Sequence, residues 1–268
     1  MPHLAEILKV TRTPPISSTG GEMKTQAKIA VVIVVVVASF TVLLGMGVFY
    51  TPPTMDHKET TTTYMPLENV VIQASTFNGD INVESTQDTT IVVTYSLTAP
   101  QGCLDEIKIT NNETKTQNVT SLLTSAQNLG NFDSPDYSAI LTLKLPVSFS
   151  YNLTLITSNG DIIKPDLNGA KVAVSTMNGD ITISDGDDCR SIDATCMNGN
   201  LKIRLVQGTQ FSVVASIGNG EINYQGIPLD TSTQSATRLK GSTTGGEGNL
   251  TVSLMTGNGN IKLQYYNP

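Results

Sequence analysis

An Asn-Gly pair followed by a polar residue and then an aliphatic one recurs six times in this chain, and no other feature restricts its fold so tightly. The corners are Asn78-Gly79, Asn159-Gly160, Asn178-Gly179, Asn198-Gly199, Asn219-Gly220 and Asn258-Gly259. Gly supplies the positive φ that a tight corner needs, and Asn tolerates left-handed backbone while bonding to nearby main chain. The residues six and four places before each Asn are all apolar, as in Val172 and Val174 before Asn178, and the residue two places before is small or β-branched. After the corner the alternation resumes, as in Ile181 and Ile183. A period of two on both sides of a turn describes strands with one buried face. Lys164 breaks the pattern by standing in an otherwise apolar column.

Successive corner Asn residues lie 19, 20 and 21 apart in the middle of the chain, with a last gap of 39 and a first gap of 81. A fixed period near 20 marks a repeat architecture in which each unit is too short to hold a core alone and stacked units share one. Two geometries fit. In a solenoid the chain turns at Asn-Gly and runs on around the coil. In a meander Asn-Gly forms a type I′ turn and its flanking strands pair, Thr176 with Ile181. Helical periodicity is weak after residue 50; its best candidate is SLLTSAQNL at 121–129.

The N-terminal part reads differently. Residues 29–50 are uncharged and apolar, and as a helix these 22 residues cover about 33 Å, enough to cross a bilayer core. We expect an uncleaved signal anchor, with the membrane as its partner. Lys24 and Lys28 precede it and only Lys58 follows closely, which puts residues 1–28 inside as a short cytoplasmic tail and the rest outside. Residues 51–66, rich in Thr and Pro, are expected to form a stalk. Residues 67–268 are expected to form the ectodomain, with a polar, irregular excursion at 100–136.

The pattern V-x-V-x-T-x-N-G-D-I-x-I, preceded by the strand end Leu143-Lys144-Leu145-Pro146, resembles an adhesin-like family of bacterial and archaeal cell envelopes. The closing GGEGNLTVSLMTGNGNIKL is similar to that family's last coils. The resemblance implies a parallel β-helix-like fold at a cell surface and supplies no catalytic residues. The expected fold class is therefore all-β: a right-handed, parallel β-helix-like solenoid of about 20 residues per coil after one N-terminal transmembrane helix. An antiparallel β-meander or sandwich is the alternative.

Sites are few. N-x-S/T sequons at Asn112, Asn118, Asn152 and Asn249 are glycosylation candidates in an exterior domain. Cys189 and Cys196 are candidates for a disulfide, and Cys103 has no evident mate. The position after each corner Gly is Asp80, Asp161, Asp180, Asn200, Glu221 or Asn260. That column could hold calcium, as could the turn Asp185-Gly-Asp187-Asp188, but an exposed polar turn explains both and no cofactor is expected. Residues 67–268 contain no His, which removes Ser-His and Cys-His chemistry. Asp161 and Asp180 are a conceivable carboxylate pair for a glycan-processing enzyme. The net charge of −7 argues against nucleic acid. The expected role is non-enzymatic: adhesive or structural binding to envelope, cells, glycans or surface proteins. An accessory ectodomain of a membrane signalling system is a further alternative.

Overall fold

The computed structural model describes residues 54–130, 136–167, 169–185, 189–224, 226–244 and 248–267. The expected tail 1–28 and anchor 29–50 lie outside the described residues. Of two compact units, the second, Pro53–Pro268, contains the strands. In chain order these are β1 (Met55–Tyr64), β2 (Asn69–Asn78), β3 (Ile81–Thr86), β4 (Ile91–Pro100), β5 (Ile107–Thr116), β6 (Val119–Asn128) and β7 (Ser138–Pro146). They continue as β8 (Ser150–Asn159), β9 (Ile162–Lys164), β10 (Gly169–Asn178), β11 (Ile181–Asp185), β12 (Ser191–Asn198) and β13 (Leu201–Val206). The last six are β14 (Phe211–Asn219), β15 (Ile222–Asn223), β16 (Leu229–Gln234), β17 (Arg238–Thr243), β18 (Leu250–Asn258) and β19 (Ile261–Tyr266).

Each Asn-Gly corner joins a strand of one sheet to a strand of the other. β10 lies in the ten-stranded sheet and β11 in the nine-stranded one. Thr176 pairs with Thr157 and Cys196 in neighbouring coils, not with Ile181 across its own corner. The meander is therefore wrong at the corners. The physical reason is that corner backbone groups bond to the coils above and below: Gly179 N–H donates to Asn198 O at 3.0 Å, and Ile181 N–H to Asn200 O at 2.9 Å.

The sheets are nonetheless mixed, which corrects the expectation of a purely parallel solenoid. Their interior pairs are parallel. Antiparallel strands close one end in both sheets, β1 on β4 and β4 on β7 in the smaller and β5 on β6 in the larger, and the other end in the larger sheet, with β17 on β14 and β16 on β17. Such caps cover the exposed rungs that a stack of parallel coils leaves behind.

Three further expectations change. The stalk is not a free linker from residue 55 on, because β1 pairs with β4 along its whole length, Met55 opposite Pro100 to Tyr64 opposite Ile91. Thr is a good strand former, and an edge strand needs little hydrocarbon. All of SLLTSAQNL but Leu129 belongs to β6, with Leu122, Thr124 and Ala126 facing inward, and β6 extends the coil stack beside β2. The last gap of 39 holds the β16–β17 hairpin. After that hairpin the chain returns to insert β18 between β12 and β14, and β19 between β13 and β15.

The core lies between the two sheets. Ile72, Leu153, Val172, Ile192, Val252 and Val213 form one buried ladder of the larger sheet, and Ile162, Ile181, Leu201 and Ile261 one of the smaller. Lys164 and Asp185 are charged members of this interior.

Candidate functional site

Each corner is built from three stacked columns. The Asn side chains form an amide ladder: Asn159 Nδ2 donates to Asn78 Oδ1, Asn178 to Asn159 at 2.6 Å, and Asn198 to Asn178 at 2.8 Å. It continues from Asn258 to Asn198 and from Asn219 to Asn258, each at 2.8 Å. The ladder thus follows the spatial order of the coils, not the order of the chain.

Beside it stands the acidic column. Asp80 Oδ1 accepts the N–H of Asp161 at 2.8 Å, and Asp161 Oδ1 that of Asp180 at 2.7 Å. Asp180 Oδ1 accepts the N–H of Asn200 at 2.7 Å and also its Nδ2. Asn260 and Asn200 continue the pattern toward Glu221. Asp161 and Asp180 are therefore brought together, and their Oδ1 atoms satisfy main-chain donors of the next coil. The third column faces inward: Thr157, Thr176, Cys196 and Thr256 each donate to the carbonyl of a neighbouring corner Gly.

Gly179 shows why the corner needs glycine. Its φ is +147°, and a Cβ there would lie 2.1 Å from Gly160 O. Conformation and stacking each demand the same residue.

The outward face of the larger sheet presents rows that run across many strands. One is Ser75, Ile156, Ser175, Thr195, Met255 and Ser216; another is Gln73, Thr154, Ala173, Asp193, Ser253 and Val214. Met177, Met197 and Met255 stand out from this face, 50%, 56% and 56% exposed. An open groove of about 430 Å³ adjoins Cys189 and is lined by Gln207, Thr209, Gln210 and Asn249.

All four sequon Asn residues are exposed: Asn112 on β5, Asn118 between β5 and β6, Asn152 on β8 and Asn249 before β18. The disulfide expectation is overturned: Cys103, Cys189 and Cys196 are free thiols. β12 is extended from Ser191 to beyond Cys196, a rise of about 16 Å, whereas a disulfide needs Cα atoms within about 7 Å. Cys196 Sγ instead donates to Gly179 O, and Cys189 Sγ to Ser191 O. Among the described residues no three His, Cys, Asp or Glu side chains group as metal ligands. Asp187 and Asp188 of the second calcium candidate lie outside them.

One polar cluster was not foreseen. Lys164 Nζ stands 3.2 Å from Asp185 Oδ2, with both side chains buried. Burial pushes the Asp185 carboxyl up, and Lys164 works against that shift. Burial also pushes the neighbouring Cys189 thiol up, and Asp185 adds to it. On the outer side Tyr266 Oη donates to Asp166 at 2.7 Å, and the Arg204 guanidinium lies 4.8 Å from the Tyr266 ring centre. The signal in the sequence was Lys164 itself, a lysine in an apolar column.

The family model described as Toastrack DUF4097 matches residues 39–264. Among solved structures the chain is similar to a "putative cell adhesion protein" from Clostridium sporogenes, with a TM-score of 0.62 and 15% identity over 79% of this chain and 100% of that one. At that identity the likeness shows the fold alone. A "putative adhesin" from Bacteroides fragilis is 15% identical over 77% of this chain and 97% of that one, with a TM-score of 0.26, too low to carry an argument. No curated protein matches the sequence.

Proposed function

The chain belongs to the Toastrack DUF4097 family, and from that premise we propose that it is a single-pass surface protein whose β domain makes adhesive contacts. Residues 29–50 are its anchor and residues 1–28 its cytoplasmic tail, a reading supported by the uncharged apolar run and the lysines that precede it. The β domain is extracellular, and sugars on Asn112, Asn118, Asn152 and Asn249 fit their exposure. The coils wind right-handed, as parallel strands joined by crossovers nearly always do.

The observation that carries the adhesive reading is the outer face of the larger sheet. Its rows of Ser, Thr, Gln and Asp offer hydrogen-bonding groups at strand spacing over many coils, and Met177, Met197 and Met255 add adaptable apolar contacts. A flat face of this kind binds through many weak contacts, to glycans or to another surface protein. Catalysis and a bound cofactor are not part of this reading, because the carboxylates of the corner column already serve main-chain donors.

The test is binding of residues 53–268 to a glycan array and to whole cells, with and without calcium, beside the triple variant Met177→Ser/Met197→Ser/Met255→Ser. We expect saturable, calcium-independent binding that the triple variant weakens at least tenfold without a change in melting temperature. Binding that the triple variant leaves intact would move the contact off this face. Turnover of a glycan that Asp161→Asn or Asp180→Asn abolishes would replace the adhesive reading with an enzymatic one.

A further inference from the structure

The smaller sheet holds a Lys–Asp pair where its neighbours hold hydrocarbon. Lys164 pairs in register with Ile183, which continues to Ile203 and Leu263 in the next two coils. Asp185 occupies the next inward position of the adjacent strand, level with Leu205 and Tyr265. The two side chains are 0% and 1% exposed, and Lys164 Nζ lies 3.2 Å from Asp185 Oδ2. Nζ is also 3.1 Å from Ser184 O and 3.2 Å from Pro165 O.

A separated charge pair is costly here, because desolvating two ions offsets much of what their attraction returns. Burial and the nearby negative charge of Asp166 both push the Asp185 carboxyl up, toward its neutral acid, while Lys164 pulls the other way. Hydrogen bonding with Cys189 works in the same direction as Lys164. Nearly all water is excluded. An amine and a carboxylic acid held in contact in a dry, ordered site have the proximity that makes a bimolecular condensation unimolecular.

We propose that Lys164 and Asp185 are joined by an intramolecular amide bond that the folded protein forms by itself. The ammonium proton passes to the Asp185 carboxylate, leaving a neutral amine facing a neutral acid. The Nζ lone pair attacks Asp185 Cγ, a C–N bond forms, and the C–O bond to the hydroxyl breaks. That hydroxyl leaves with a second Nζ proton as one water. No oxidant, cofactor or activated ester enters the balance. The product removes both buried charges and ties β9 covalently to β11, across the boundary between two coils.

The full-length protein decides the matter in one digest. Trypsin cuts after Lys144, Lys171 and Arg190 and leaves the Lys164-Pro165 bond whole, so Lys164 falls in peptide 145–171 and Asp185 in peptide 172–190. After denaturation, reduction and alkylation, mass spectrometry is expected to find these two peptides as one species, lighter than their sum by one water. Lys164→Arg is expected to release them separately at their full masses. Two separate peptides from the unaltered protein would overturn the proposal and leave an ordinary buried ion pair. Peptide 172–190 alone, one water light, would also overturn it, since that loss would mark a succinimide at Asp185-Gly186.

Discussion

At the residue scale the corner tests its own explanation. Gly179→Ala places a Cβ 2.1 Å from Gly160 O at a φ of +147°. Gly208 has a φ of +96° with nothing within 4 Å of its would-be Cβ. Both variants meet the left-handed cost of about 1–2 kcal/mol, but only the first adds a backbone clash. Thermal melts should therefore show Gly179→Ala destabilised by at least about 3 kcal/mol and Gly208→Ala by about 1 kcal/mol; equal losses would mean that stacking contributes nothing. The amide ladder has a direction. Asn78 only accepts within it, whereas Asn219 only donates. Asn78→Asp keeps its bond and should be nearly neutral; Asn219→Asp loses one and should cost about 1 kcal/mol. Tyr95 gives a pH dependence. Burial pushes its phenol up to about 12 from 10.0, with the hydrogen bond to Thr124 acting the other way. Its pKa is raised by folding, so the stability that the neutral phenol contributes is complete below pH 10 and disappears as pH rises through about 12. Melting temperature should fall across that window, and Tyr95→Phe should make the fall shallower while lowering stability at neutral pH by the lost bond to Thr124 Oγ1.

At the element scale β1 carries a sharp test of where the domain begins. If Met55–Tyr64 is a strand paired throughout with β4, limited proteolysis should spare 55–64. Rapid cleavage among Thr60, Thr61, Thr62 and Thr63 would return this stretch to a stalk. The misreading has a physical cause. An edge strand backed by one neighbour buries no residue fully, and Met55, Asp56, Thr60, Thr62 and Tyr64 are only half-buried, so its sequence lacks the apolar alternation that announces β10 or β18. Strands between two neighbours and a core were legible, because each places aliphatic residues at every second position. The corner residues were legible for the same reason: backbone geometry and stacking leave so little choice that Asn and Gly recur. The partner of Lys164 was not. A lysine in an apolar column shows that something must satisfy it, but naming Asp185 requires knowing that β9 lies against β11 in the register that brings Ile163 opposite Thr182.

At the scale of the whole molecule the order of the coils was hidden, because near-identical columns stack in any order. In space the final coil is interior. β18 pairs with β12 on one side and β14 on the other, and Asn258 bridges Asn198 and Asn219 in the ladder. Removing residues 250–268 therefore does not trim an end. It strips the shared partner from two coils and deletes Leu250, Val252, Leu254, Ile261 and Leu263 from the core. At roughly 2 kcal/mol for each buried aliphatic side chain, the loss is about 10 kcal/mol, as large as the whole stability of a typical domain. The β16–β17 hairpin is the opposite case: β16 is almost wholly exposed and caps only one edge. Chain ending at residue 249 should be unfolded by circular dichroism, with no cooperative urea transition. Replacing 229–243 by a short Gly-Ser link should keep one transition at a lower midpoint. A cooperative transition in the truncated chain would mean that the gap between β12 and β14 can close without its last coil. The insertion also implies that the five corners from Asn78 to Asn219 cannot complete their ladder until the final residues have been made, so protection of the Asn198 and Asn219 corners against hydrogen exchange should appear only in the full-length chain.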